Sequence, residues 1–93
     1  MVSEVRASHI LVETEEEAYC ILEQLRGGRP FAALARQYSK CPSGKRGGDL
    51  GYFPRGKMVR EFEDVVFALQ KGQFSGPVQT KFGWHIILVT DRR

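Results

Sequence analysis

The 93-residue chain has only two cysteines, Cys20 and Cys41, and only two histidines, His9 and His85. The cysteines lie far apart and form no C-x-x-C pair, which excludes a redox motif and a dense disulfide framework and leaves two free thiols as the simpler reading. Zinc binding by Cys20, Cys41, His9 and His85 fits none of the usual ligand spacings, so no metal and no cofactor are expected. No stretch is long and apolar enough to span a bilayer. The opening Val2-Ser3-Glu4-Val5-Arg6 has neither the basic start nor the apolar run of a secretory leader, so the expected compartment is the cytoplasm, without membrane attachment. Gly44-Lys45 lacks the upstream glycine and the following Ser or Thr of a phosphate loop, and it follows a helix rather than a strand, which excludes nucleotide binding by that motif. Internal repeats, low-complexity tracts and linkers are missing too.

What remains is 42% hydrophobic and 27% charged, enough for one packed core and too short for two, so residues 1–93 are expected to form a single domain. The net charge of +3 is unevenly spread. Glu13, Glu15, Glu16, Glu17 and Glu23 load one stretch, while Lys40, Lys45, Arg46, Arg55, Lys57 and Arg60 load another. A basic stretch of this kind suits acidic substrates or nucleic acid, or is simply a solvated face. It carries no RNA-binding motif and no interleaved aromatic platform, so nucleic acid is not the expected partner.

Val5, Ala7, His9 and Leu11 alternate on one face of a first strand. Thr14 and Glu17 form a capping-box pair ahead of an amphipathic helix carrying Ala18, Ile21, Leu22 and Leu25 and ending at Gly27-Gly28. A second helix begins near Pro30 and runs to about Ser39. Residues 40–48 have no hydrophobic period and read as an irregular surface loop. Asp49–Phe53 reads as a short strand closed by Pro54, with Leu50 and Tyr52 on one face and Phe53 on the other. A third helix starts near Arg60, shows the stripe Phe62, Val65, Val66 and Leu69, leaves Phe67 off it, and ends at Lys71-Gly72. The tail reads as a hairpin of a short strand through Val78 and a long one from Trp84, with His85 in phase with Ile87 and Val89. This order predicts an α+β domain with helices around a mainly antiparallel sheet.

The two histidines share apolar faces of the first and last strands, so if those strands are neighbours the rings can meet and exchange a hydrogen bond. Two separately satisfied core histidines give the same pattern. Cys41, in a polar loop beside Lys40 and Lys45, is an accessible sulfur, but no cysteine-protease signature surrounds it. Leu50, Met58 and Phe62 suit a hydrophobic site for a flat ring, and ordinary core packing explains them equally well.

The ordered fragments His9-Ile10-Leu11-Val12, Ser39-Lys40-Cys41-Pro42-Ser43-Gly44, Arg46-Gly47-Gly48-Asp49-Leu50-Gly51, Gly56-Lys57-Met58, Phe62-Glu63, Gly76-Pro77-Val78 and Phe82-Gly83-Trp84-His85-Ile86-Ile87 cover nearly the whole chain. Together they resemble the parvulin family of peptidyl-prolyl cis/trans isomerases. The resemblance implies an FKBP-like superfold, a four-stranded antiparallel sheet surrounded by helices, with a substrate proline held on its concave side. It further implies that His9 and His85 are the central histidine pair, that Thr80 supports them, and that Cys41 stands beside the reacting bond. Leu50, Met58 and Phe62 would form the proline pocket, with Phe82 near the substrate. Expected partners are proline-containing polypeptides with an apolar residue before proline, acted on by a monomer without cofactor. Phosphate-directed relatives carry a basic cluster after the first strand, where this chain has Glu13-Thr14-Glu15-Glu16-Glu17, so no phosphate requirement is expected. The rival reading is a chaperone-like module that holds extended peptides with little turnover.

Overall fold

The structure is a computed structural model that describes residues 2–93. Its elements run β1 (Glu4–Val12), α1 (Glu15–Arg26), α2 (Phe31–Tyr38), a 3-10 helix (Pro42–Arg46), β2 (Asp49–Pro54), α3 (Arg60–Ala68), β3 (Val78–Thr80) and β4 (Gly83–Arg92). The strands form one sheet in the order β2-β1-β4-β3, antiparallel throughout. The α+β expectation therefore holds, and the first and last long strands are the central pair.

Both faces of that pair are covered. On one, Val5, Ala7, Ile87 and Val89 pack with Phe53 and with Phe62, Val66 and Phe67 of α3. On the other, Ile10, Val12 and Ile86 pack with Ala18, Ile21 and Leu22 of α1 and Leu34 and Ala35 of α2. Burial on both sides explains why the end of β1 (Ile10, Leu11 and Val12) and the middle of β4 (Ile86, Ile87, Leu88 and Val89) are unbroken apolar runs. Thr14 caps α1 as its spacing predicts: its hydroxyl accepts the Glu17 N–H at 3.2 Å and donates to the Glu17 carboxylate at 3.0 Å. Such a cap contributes about 1 kcal/mol.

Three local readings are corrected. Residues 40–48 are not irregular: Pro42–Arg46 form a 3-10 helix, and Ser43 and Gly44 are buried. A turn this short has no apolar period to betray it. The stretch is also stitched to β1, because Lys40 N–H donates to the Leu11 carbonyl (2.8 Å) and His9 N–H to the Gly48 carbonyl (3.0 Å). A side chain at Gly48 has no room there, since its Cβ would lie 2.4 Å from the His9 carbonyl oxygen. Secondly, α3 stops at Ala68, with Leu69 already extended and packed against the α3-side core. Phe67, off the sequence stripe, makes its second contact with Phe53, at 6.4 Å between ring centroids.

The third correction bears on function. Leu50 does not share a face with Tyr52; it packs with Phe53 against the α3-side core. Register explains this: Arg6 pairs with Tyr52 but Ser8 with Asp49, so β2 carries one extra residue, a bulge, across that interval. Gly51 within it has φ +72°. The bulge reverses the phase of the strand and turns Leu50 toward α3. Replacing Gly51 with Ala is expected to cost about 1 kcal/mol through left-handed backbone strain alone, because nothing lies within 4 Å of the added carbon. Gly76→Ala, equally open and without a positive φ, should leave the urea midpoint nearly unchanged. Equal midpoints for the two variants would remove the bulge's dependence on glycine.

The start of β1 meets the residue that follows β4. Ser3 and Glu4 N–H groups donate to the Arg93 carbonyl at 2.8 and 2.7 Å, and Arg93 N–H donates back to Glu4 at 2.8 Å.

Candidate active site

An open cavity of about 510 Å³ lies on the α3 side of the sheet. His9 and Leu11 enter it from β1 and His85 from β4. Leu50 comes from the bulged strand, Met58 from the turn before α3, Phe62 from the first turn of α3, Cys41 from the stitched segment and Phe82 from the β3–β4 turn. All the residues expected at the site line this cavity except Thr80, which stands behind it.

His9 and His85 meet as the strand argument allowed. Leu11 pairs with His85 and His9 with Ile87, so the histidines are diagonal neighbours across β1 and β4. Their Nδ1 atoms are 2.9 Å apart, and their rings lie within 18° of one plane. One Nδ1 must carry a proton and the other accept it, which requires at most one charge in the pair. His85 Nε2 is 2.7 Å from Thr80 Oγ1, and that oxygen also accepts the Phe82 N–H at 3.1 Å. The chain from Thr80 through His85 to His9 can run in either sense, and both senses leave His9 Nε2 buried without a hydrogen-bond partner. Burial, reinforced by the adjacent His85, pushes His9 down to about 4. Burial lowers His85 as well. Both rings are therefore neutral at pH 7, a rigid uncharged floor.

Phe62 stands edge-on against both imidazoles, with centroids 5.6 Å from His9 and 5.5 Å from His85 at 82° and 80°. It is only 3% exposed and belongs to the core as well as to the site. Phe62 is thus packed in the core and lines the cavity at the same time. Met58 and Leu50 are half-buried and complete an apolar niche over the histidine floor.

Cys41 is half-buried at the rim and accepts a hydrogen bond from the Ser43 hydroxyl at 3.3 Å. The imidazoles bond to each other and to Thr80, so no base is engaged with the sulfur. Cys20 sits on the exposed side of α1, beside a separate groove with Glu16, Glu17 and Tyr38. Among the described residues, no group of three or more His, Cys, Asp or Glu side chains is placed to hold a metal ion.

Sequence reasoning missed Ser39 and Ser75. The Ser39 hydroxyl oxygen accepts the N–H groups of both Leu11 (3.1 Å) and Cys41 (3.3 Å), tying the cysteine segment to β1. The Ser75 oxygen accepts the Ile87 N–H at 3.1 Å, holding β4 where it carries His85. Neither has a periodic neighbour that would mark it. Leu11 was legible, being in phase with His9 on the first strand.

The family model described as Rotamase, PPIC-type PPIase domain, matches residues 7–91. The chain belongs to this family. Among the relatives of this rotamase domain is the foldase protein PrsA of Geobacillus sp. (strain WCH70), 55% identical over 89 residues, covering 95% of this chain and 32% of the relative. The crystal structure of the peptidylprolyl isomerase PrsA from Bacillus anthracis superposes with a TM-score of 0.96 at 46% identity, over 99% of this chain and 43% of that one. The solution structure of NmPin, the parvulin of Nitrosopumilus maritimus, gives 0.86 at 43% identity, over 96% and 97% of the two chains. The rotamase domain thus accounts for the whole of a small parvulin, whereas the chain spans about a third of the length of the PrsA relatives it matches.

Proposed function

We propose that this chain accelerates cis/trans rotation about X-Pro bonds in polypeptides by holding a twisted imide in the niche of Leu50, Met58 and Phe62. The observation that carries this reading is an apolar cavity floored by two hydrogen-bonded, neutral imidazoles, in a chain of the PPIC-type family. Rotation faces a barrier of roughly 18–20 kcal/mol because the planar amide is resonance-stabilised. At the twisted transition state resonance is lost, the carbonyl oxygen is less negative and the nitrogen more pyramidal. An apolar niche accepts that less polar species better than the planar, well-solvated one, which is differential binding of the transition state. Lowering the barrier by about 5–6 kcal/mol gives on the order of ten-thousand-fold acceleration.

No covalent bond is broken, so no nucleophile is needed. Cys41 shapes the surroundings of the carbonyl, His9 and His85 are a rigid hydrogen-bonded support, and Thr80 is a positioning residue that orients His85. Leu11 and the largely exposed Phe82 offer apolar surface for the residue preceding proline. An unmodified segment suffices as substrate. A phosphate is not required of it, since no arginine lines the cavity to grip one through paired N–H donors, although Lys40 and Lys57 do line it; Glu16 and Glu17, expected to repel phosphate, line a different groove.

Exchange NMR on a short peptide containing Phe-Pro tests the reading directly. Catalytic amounts of protein should broaden and exchange the cis and trans signals, and Cys41→Ser should retain that exchange within about tenfold, as a non-nucleophilic role requires. Peptide binding without exchange would favour a holding module, and loss of all exchange in Cys41→Ser would restore a covalent role.

A further inference from the structure

We infer that the site selects proline segments with acidic residues flanking the prolyl bond. This rests on the isomerase reading of the same cavity and adds the substrate's charge to it. Among the described residues, the charged side chains lining the cavity are Lys40 and Lys57, beside the neutral His9 and His85 and the thiol of Cys41. They come from different elements: Lys40 precedes the 3-10 helix with its backbone held by Leu11, and Lys57 lies in the turn between β2 and α3, next to Met58. Both side chains are exposed, and neither forms an ion pair among the described residues. Their neighbours in sequence behave differently: Arg55 pairs with Glu63 and Arg60 with Asp64. Lys81, at the hairpin tip, lies 5.2 Å from the centroid of the Phe82 ring and is likewise without an ion pair among the described residues.

Lys40 and Lys57 thus stand unpaired at the mouth of the apolar niche with no carboxylate among its lining residues, while Glu16 and Glu17 line the other groove. A cleft with low-dielectric walls and charge of one sign concentrates ligands of the opposite sign and speeds their arrival. Solvated lysines at a rim are the plain alternative, and they predict no discrimination. Two amines flanking an uncharged floor instead favour carboxylates on the substrate and penalise lysine-rich segments.

Three peptides decide it, identical except that Phe-Pro is flanked on both sides by Glu, by Gln or by Lys. At low ionic strength the Glu peptide should show kcat/KM about three- to tenfold above the Gln peptide, and the Lys peptide a comparable deficit. The differences should shrink toward unity near 0.5 M salt, where screening acts within a few ångströms. In Lys40→Glu/Lys57→Glu the Glu-to-Lys ratio should invert, whatever that variant's absolute rate. Titration of the same samples by chemical shift yields the binding ratio independently of turnover. Equal ratios with brisk turnover of all three peptides overturn the charge inference and leave the isomerase reading standing. A binding ratio that favours Glu without any exchange overturns the isomerase reading and keeps the charge preference.

Discussion

Replacing Phe62 with Ala is expected to lower kcat/KM on a Phe-Pro peptide about a hundredfold and to cost about 3–4 kcal/mol of stability. The two effects share one cause. Phe62 is 3% exposed, contacts Phe53 at 6.3 Å between centroids, and stands against both imidazoles. Truncation opens a void in the core and removes the wall that holds the proline ring. Because the domain's whole stability is of order 5–15 kcal/mol, this variant must be assayed where circular dichroism shows it folded. Met58→Ala separates the two consequences. Met58 is half-buried beside the core, so its removal should cost under about 1.5 kcal/mol yet lower turnover on the order of tenfold. Full activity in Met58→Ala would place the proline elsewhere in the molecule.

The second large effect is a loss of stability in mild acid. In the unfolded chain a histidine titrates near 6.5; in the fold, burial and His85 hold His9 down to about 4. Between those values the unfolded state binds more protons than the native state, so stability rises with pH. The contribution of neutral His9 is complete above about pH 6.5 and drains away as pH falls toward 4, amounting to roughly 3 kcal/mol. His85 is lowered by burial and acts in the same direction. Asp49, held down by its hydrogen bonds from Arg6, and Asp91, held down by the Tyr52 hydroxyl, lose their contributions only below the ordinary carboxylate range, in a separate and more acid window. Urea unfolding at half-unit steps from pH 7 to 4 should show the loss, and His9→Leu should flatten the curve. A wild-type curve already flat over that interval would falsify the buried neutral pair.

Most of the fold was legible because its signals are local. The Thr14–Glu17 cap, the Phe62–Val66 stripe and the phase of His9 and His85 are each set by neighbours within a few residues, and each survives in the structure. What escaped depends on partners distant in sequence. The bulge at Gly51 exists only relative to β1, and it alone decides that Leu50 faces α3. The 3-10 helix is held by bonds to Leu11 and His9, some 30 to 40 residues away in the chain. Ser39 and Ser75 act through backbone N–H groups on other strands, which no pattern in their own surroundings announces. For the site, the two histidines and the phase of Leu11 could be read from alternation. The assignments of Cys41, Thr80 and the proline niche came from family resemblance, and the structure brings all but Thr80 onto one cavity wall.

The meeting of Glu4 with Arg93 has a mechanical consequence. β1 and β4 run antiparallel from that junction, so a load applied between Ser3 and Arg93 would pull at one end of their shared ladder. Such a geometry opens like a zipper, one rung at a time, rather than resisting in shear with every rung strained together. The force needed to part the central strands is therefore small, and the imidazole floor, several rungs along, would be reached only after the rungs nearest the ends had given way.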